Sequence, residues 1–191
     1  YIIGWTLIVI QLSYYIWSAY VGKLSLVNNL PLGVCTINIF VSIYIILSKN
    51  VKVFNIIYFW GLGAILSVVF PDMSFGPDRY RYYQFFYAHM MFLWIYMYMI
   101  FVHGYRPGLK DFRNSAVLLF IIAVCIALPL SFILDHNYMF MLNAGGTPLE
   151  ILEPLGQTIY VIGTVLVMLV IMAIYYSPIY FFVIRKEKNL N

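Results

Sequence analysis

Charged side chains are scarce in this chain. Asp, Glu, Lys and Arg together make up 9% of its residues, against roughly 25% in soluble domains, too few to cover a water-facing surface. Cysteine is rarer still, with only Cys35 and Cys125, ninety residues apart, which excludes a disulfide framework and any CxxC metal or redox motif. No HExxH run and no cluster of carboxylates at metal-ligand spacing is present, so the sequence offers no metal centre and implies no cofactor. The GLG at residues 61–63 lies inside an apolar run, without the strand and helix that a phosphate loop needs, and reads as a small-residue helix contact. Internal repeats, low-complexity tracts and Ser/Pro/Gly linkers are absent, which leaves residues 1–191 as a single domain. The chain opens on Tyr1 rather than Met, and its first apolar segment lacks the basic flank and cleavage pattern of a signal peptide; a missing true N-terminus is expected.

What the chain has instead is apolar length. Hydrophobic residues make up 64% of it, and about 20 such residues in a row carry a helix across the hydrocarbon. Runs of that order occupy residues 1–21, 31–48, 54–71, 83–102, 115–134 and 158–177. The fold class that follows is all-α, a polytopic transmembrane helical bundle with six spans.

Six spans put both ends of the chain on one side, and the loops then divide by basic content. One side carries Lys49, Lys52, Arg106, Lys110, Arg113, Arg185, Lys186 and Lys188; the other has Lys23, Arg79 and Arg81 with the acids Asp72, Asp78, Asp135, Glu150 and Glu153. The positive-inside bias assigns the first side, and with it the C-terminus, to the cytoplasm. The net charge of +4 then belongs to loops facing anionic headgroups and does not indicate nucleic acid. Tyr14, Tyr15, Trp17, Tyr20, Tyr175 and Tyr176 stand near span ends, where an interfacial belt of anchors is expected.

The polar residues able to do chemistry gather on the outer side. Residues 28–35 read NNLPLGVC, with Pro31 suited to a helix first turn and Cys35 about one turn in. The segment from Pro71 to His89 brings Arg81, Gln84 and His89 to the head of the fourth span. Spans two and four run in the same direction, so Cys35 and His89 enter the bilayer from one face and reach similar depths. A thiol becomes a nucleophile when a neighbouring base favours the thiolate. The alternative for Cys35 is plain packing, and for His89 a bond to a neighbouring helix, although intramembrane ionisable groups are commonly functional. Cys125, mid-span among apolar neighbours, reads as packing.

Residues 135–157, DHNYMFMLNAGGTPLEILEPLGQ, are too long and too apolar for a simple turn. They read as an outer lid or re-entrant loop over the mouth of the bundle, or as an amphipathic anchor at the interface. His89 and His103 are fourteen residues apart on one span, as a two-haem cytochrome would place them, but the remaining His136 cannot supply the facing ligands. Pro129 and Pro178 invite kinks, without the paired broken helices of a transporter repeat.

Four blocks carry a family resemblance: IIYFWGLGAILSVVFPD from Ile56 to Asp72, RYYQFFYAH from Arg81 to His89, FVHGYRP from Phe101 to Pro107 and NYMFMLN from Asn137 to Asn143. In order and spacing they resemble the YwaF-type bacterial integral membrane proteins, bacterial relatives of a vertebrate transmembrane acyltransferase that makes polyunsaturated ether phospholipids. The resemblance implies seven spans in the intact protein, with the first lacking here and the native N-terminus outside. It also implies a motif Leu-Pro-Leu-His-Leu-Cys where this chain reads LPLGVC, so that Cys35 matches the motif cysteine and Gly33 stands where a His is usual.

By position the resemblance makes Cys35 the acyl-carrying nucleophile and His89 its base. It makes Arg81 and Gln84 the contacts to a phosphate and a developing oxyanion, and Asn137 and Asn143 headgroup-orienting groups on the lid. The function expected is a lipid acyltransferase or transacylase of the cell membrane acting on membrane phospholipid. Two other classes stay open: a non-catalytic binding or transport module for a small polar or lipid ligand, and an accessory subunit whose lid contacts a membrane-protein partner. Cys35→Ser discriminates them, because it abolishes an acyl-enzyme and hardly disturbs binding by a neighbouring Arg.

Overall fold

In the computed structural model, which describes residues 1–71 and 76–185, six helices cross one another as a bundle, and no strand is present among the described residues. The helices are α1 (Ile2–Tyr20), α2 (Val34–Ser48), α3 (Val51–Val69), α4 (Tyr80–Phe101), α5 (Leu109–Leu134) and α6 (Gln157–Ile184). Five are long and apolar enough to span a membrane, and α2 is a shorter apolar helix of 15 residues. The chain is a multi-pass membrane protein. Asp72, Lys186 and Lys188, used above in the charge count, lie outside the described residues.

All six expected spans appear as apolar helices with shifted edges, five of them long enough to cross a membrane. The fourth and fifth start earlier than their apolar runs, at Tyr80 and Leu109, because the polar residues there still satisfy helical backbone. On α5 the N–H of Gly108 donates to the Asp111 carboxylate at 2.9 Å, a cap that begins the helix in a polar stretch.

Helix α3 is the hub and packs against α2, α4, α5 and α6, while α1 lies against α2 and α4. Two glycines permit close approaches between helices. A Cβ on Gly4 would stand 2.6 Å from Ile46 Cγ2, and one on Gly61 would stand 2.8 Å from the Tyr175 hydroxyl and 2.9 Å from Tyr96 Cδ2. The small-residue reading of the GLG segment therefore holds at Gly61. Around it α3 tightens into a 3₁₀ turn at Tyr58–Gly61. There Asn38 of α2 donates to the Trp60 carbonyl at 3.3 Å and accepts from the Tyr96 hydroxyl of α4 at 2.8 Å. One fully buried amide thus joins three helices, an arrangement that hydrocarbon favours because a buried polar group without a partner is costly.

The rest of the core is aromatic. Tyr58 stacks on Tyr175 with ring centroids 4.9 Å apart, and Phe59 meets Tyr176 at 5.1 Å. Tyr175 and Tyr176 are accordingly buried core residues and not members of an interfacial belt; their rings fill the space around the 3₁₀ turn. Cys125 is exposed on the outside of α5, so it is not a core packing residue. It falls in the π-helical stretch Ile121–Ala127 ahead of Pro129, where the wider turn accommodates a ring that cannot donate a hydrogen bond. Outward faces carry large apolar side chains such as Ile16, Trp94, Ile133 and Phe182, as contact with lipid requires.

Candidate functional site

At the end of the bundle where α2, α4 and α6 begin, the helices separate around a cavity of about 1140 Å³. Its wall is built from all six helices, α5 contributing Leu119, together with residues 28–30 and parts of residues 135–152. That volume exceeds the 300–1,000 Å³ or so typical of small-molecule pockets. The long connection closes the cavity from one side and is held in irregular backbone by side chains. The Tyr138 N–H donates to Ser131 Oγ at 3.0 Å, Tyr160 donates to the Phe140 carbonyl at 2.7 Å, and Gln157 donates to the Met141 carbonyl at 2.8 Å. Met139 and Phe140 both sit in the left-handed region, at φ 55° and 58°, a conformation that non-glycine residues keep only when their surroundings fix it. A 3₁₀ strap at Pro148–Leu155 then presses Leu152 onto Gly163 of α6, where a Cβ would meet Leu152 Cδ1 at 2.8 Å.

Cys35 lies in the first turn of α2, half-buried in the cavity wall. Its Sγ lies 3.4 Å from Ser67 Oγ of α3. His89 lies on α4 in the same wall and is almost fully buried, its ring held between Phe85 and Phe92 with centroids 4.2 and 5.7 Å away. Its Nδ1 is 2.7 Å from the Phe85 carbonyl. A carbonyl only accepts, so the ring proton sits on Nδ1 and Nε2 is left as an acceptor. That Nε2 is buried and has no hydrogen-bond partner among the described residues. Cys35 and His89 therefore share one cavity but are not hydrogen-bonded to each other; the thiol's partner is Ser67.

Gln84 and Arg81 line the cavity about one and two turns nearer the head of α4 than His89. The Arg81 guanidinium donates to the Gln84 side-chain oxygen and lies over the Tyr14 ring at 4.6 Å and the Phe85 ring at 5.6 Å. Aromatic faces take the place of water around the cation. Among the described lining residues Arg81 is the one Lys or Arg, and Asp135 the one carboxylate.

Asn137 lines the cavity and Asn143 does not. The Asn137 amide donates to the Asn143 backbone and side-chain oxygens, both at 2.9 Å, and accepts from the Leu142 N–H at 2.9 Å. These two residues brace the connection, and their polar groups are engaged with one another.

The sequence reading passed over Ser67 and Gln11. Ser67 is one hydroxyl near the end of an apolar run, with nothing in its spacing to set it apart from packing. Gln11 gave a usable signal: an amide in mid-span is expensive in lipid, and it is in fact buried and lines the cavity.

Residues 1–176 of the chain match the model of the TMEM164 family. No curated protein matches the chain, and no solved structure does.

Proposed function

The chain belongs to the TMEM164 family, and on that premise we propose that it is a membrane-bound lipid acyltransferase or transacylase whose nucleophile is Cys35 and whose base is His89. The observation that carries this reading is the unpartnered Nε2 of His89 in the wall of the cavity that also holds the Cys35 thiol. Direct contact between the two is not required before substrate arrives, because catalytic hydrogen bonds are often long or absent in the free enzyme and tighten on binding.

The proposed reaction runs in two halves. Cys35 gives its proton to His89 Nε2, and Sγ attacks the carbonyl carbon of a lipid ester. The bond from that carbon to the alcohol oxygen breaks, and His89 returns the proton to the departing alcohol. The thioester left on Cys35 is then attacked by a hydroxyl or amine of a second lipid, with His89 taking its proton and giving it to the released thiolate. Arg81 and Gln84 are the proposed contacts to a lipid phosphate. Asn137 and Asn143 act by holding the cover that orients the headgroup. The apolar wall between α3 and α6, with Leu66, Phe70 and Val167, is the proposed place for acyl chain. The relationship to YwaF-type proteins and to the vertebrate acyltransferase is part of this proposal. So is the placement of the cavity on the extracytoplasmic face of the cell membrane, with the C-terminus in the cytoplasm, which the unequal division of Lys and Arg supports.

A second reading has its own observation. The Cys35 thiol is paired with Ser67, as a structural thiol would be, and a binding module would use Arg81, Gln84 and His89 as ligand contacts without an acyl-enzyme. Intact-protein mass spectrometry after mixing purified protein with phospholipid vesicles separates the two. A hydroxylamine-labile acyl adduct that maps to Cys35 and is lost in Cys35→Ser supports the enzyme. An unmodified Cys35 during measured turnover overturns it as nucleophile, and absence of turnover with retained lipid binding favours the binding module.

A further inference from the structure

The proposed nucleophile sits at the start of a helix whose first donors are left open. In α2 the first intrahelical bond beyond the cap runs from the Ile37 N–H to the Gly33 carbonyl at 2.9 Å, so the N–H groups of Val34, Cys35 and Thr36 precede the helical ladder. The residue at the cap is Gly33, which makes no side-chain cap, and no side chain among the described residues accepts from these three donors. At two other helix starts such donors are taken: Ser25 Oγ accepts from the Asn28 N–H at 3.0 Å, and Asn50 Oδ1 from the Val53 N–H at 3.1 Å. The helix starts at Tyr1, Arg79 and Gly156 likewise lack a side-chain cap; the one at Gly33 opens beside the cavity.

Gly33, Val34, Cys35 and Thr36 all line that cavity. A second and independent feature points to a ligand there. His89, only 5% exposed, lines the same cavity and has Nδ1 held at the Phe85 carbonyl of its own helix, while its buried Nε2 meets no partner among the described residues. One wall thus offers free N–H donors beside a thiol, and another offers a lone acceptor. A reacting ester needs both: donors for the oxygen that becomes negative, and an acceptor for the proton that must leave.

We propose that the open N-terminus of α2, through the backbone N–H groups of Cys35 and Thr36, is the oxyanion cradle of the acyl-transfer reaction. This rests on the acyl-enzyme reading above and moves the developing oxyanion from Arg81 and Gln84, which keep the phosphate, to backbone donors beside the thiol. As Sγ bonds to the ester carbon, the carbonyl oxygen takes up the electron pair and is held by these two N–H groups, with the positive end of the helix dipole behind them. The pair returns to the carbon–oxygen bond as the alcohol departs with the proton carried by His89. Gly33 matters because any residue able to cap α2 would occupy the same donors.

That gives a direct test. Gly33 has φ −77° and ψ 140°, an ordinary capping conformation, and a Cβ there would have Thr36 Oγ1 at 3.5 Å as its nearest neighbour, so serine and alanine both fit. In Gly33→Ser the new hydroxyl accepts from the Cys35 or Thr36 N–H and caps the helix; in Gly33→Ala it cannot. The rate of Cys35 acylation by phospholipid vesicles, read by intact mass, is expected to be at least about tenfold lower in Gly33→Ser than in Gly33→Ala, while the melting temperature of Gly33→Ser is equal or higher. Equal acylation rates, with the raised melting temperature showing the cap in place, overturn the cradle and leave the acyl-enzyme standing. Failure of the unaltered protein to acylate Cys35 during turnover overturns both. Gly33→Asp, a capping residue that also sets a negative charge against the oxyanion, repeats the comparison should the serine variant fold poorly, with an equal or larger loss expected.

Discussion

The Tyr138 hydroxyl donates to the Val27 carbonyl at 2.5 Å, joining residues 111 apart in the sequence. This bond fastens the long connection before α6 to the segment that leads into α2, so the cover and the approach to Cys35 are fixed to each other. The Tyr138 N–H is held at the same time by Ser131.

Tyr138→Phe removes this fastening and leaves the Val27 carbonyl without that donor. A loss of stability of about 1–3 kcal/mol is expected, read as a lower thermal midpoint in detergent or nanodiscs. Amide hydrogen exchange should rise most over residues 135–156.

Asn38→Leu leaves the Trp60 carbonyl and the Tyr96 hydroxyl without their shared partner in a fully buried place. Destabilisation of several kcal/mol, on the order of 2–4, is expected because two buried groups lose bonds at once. Tyr96→Phe, which loses only the hydroxyl, should cost less in the same unfolding measurement.

Gly61→Ala forces a methyl against two rings that have no room to yield, with contacts of 2.8 and 2.9 Å. Overpacking of this kind costs about 1–3 kcal/mol. Gly63→Ala, where the nearest atom is Val34 Cγ1 at 3.9 Å, is expected to shift the thermal midpoint much less.

His89→Phe keeps the ring packing between Phe85 and Phe92 and removes a buried acceptor that has no partner. Stability is expected to hold or rise, while acylation of Cys35 falls by about 10²–10⁴, the usual contribution of a general base. Normal acylation in this variant would remove His89 from the chemistry.

Leu24→Cys and Lys52→Cys, introduced without the native cysteines, test orientation. Both positions are exposed, Leu24 before the start of α2 and Lys52 in the first turn of α3, just past the other end of α2. A membrane-impermeant maleimide is expected to label position 24 in intact cells and position 52 only after permeabilisation; the reverse would invert the proposed topology.

Much of the architecture was legible because lipid imposes a length rule that single runs of residues reveal. Six apolar runs became six helices, and Pro31, Gly61 and Pro129 fell at or beside a helix entry, a close crossing and a widened turn. The failures came where contacts between distant helices decide the outcome. Tyr175 and Tyr176 have the sequence context of anchors, yet the crossing of α6 over Gly61 draws them inside. Depth alone put Cys35 and His89 at one level of the bilayer, but no spacing announced that Ser67 would take the thiol, or that Asn137 and Asn143 would face each other. The free donors at Gly33 also escaped notice, since an unfilled cap is visible only when the surrounding side chains are known.

Helix α2 is short for a span. Its 15 residues rise about 22 Å, some 8 Å short of a typical hydrocarbon thickness of about 30 Å. Such mismatch is relieved by local thinning of the bilayer beside the short helix. Thinning on the side of Cys35 would bring the glycerol backbone of a neighbouring lipid toward the thiol without its leaving the leaflet, so that under the proposed acyl transfer the shape of the membrane would deliver the ester.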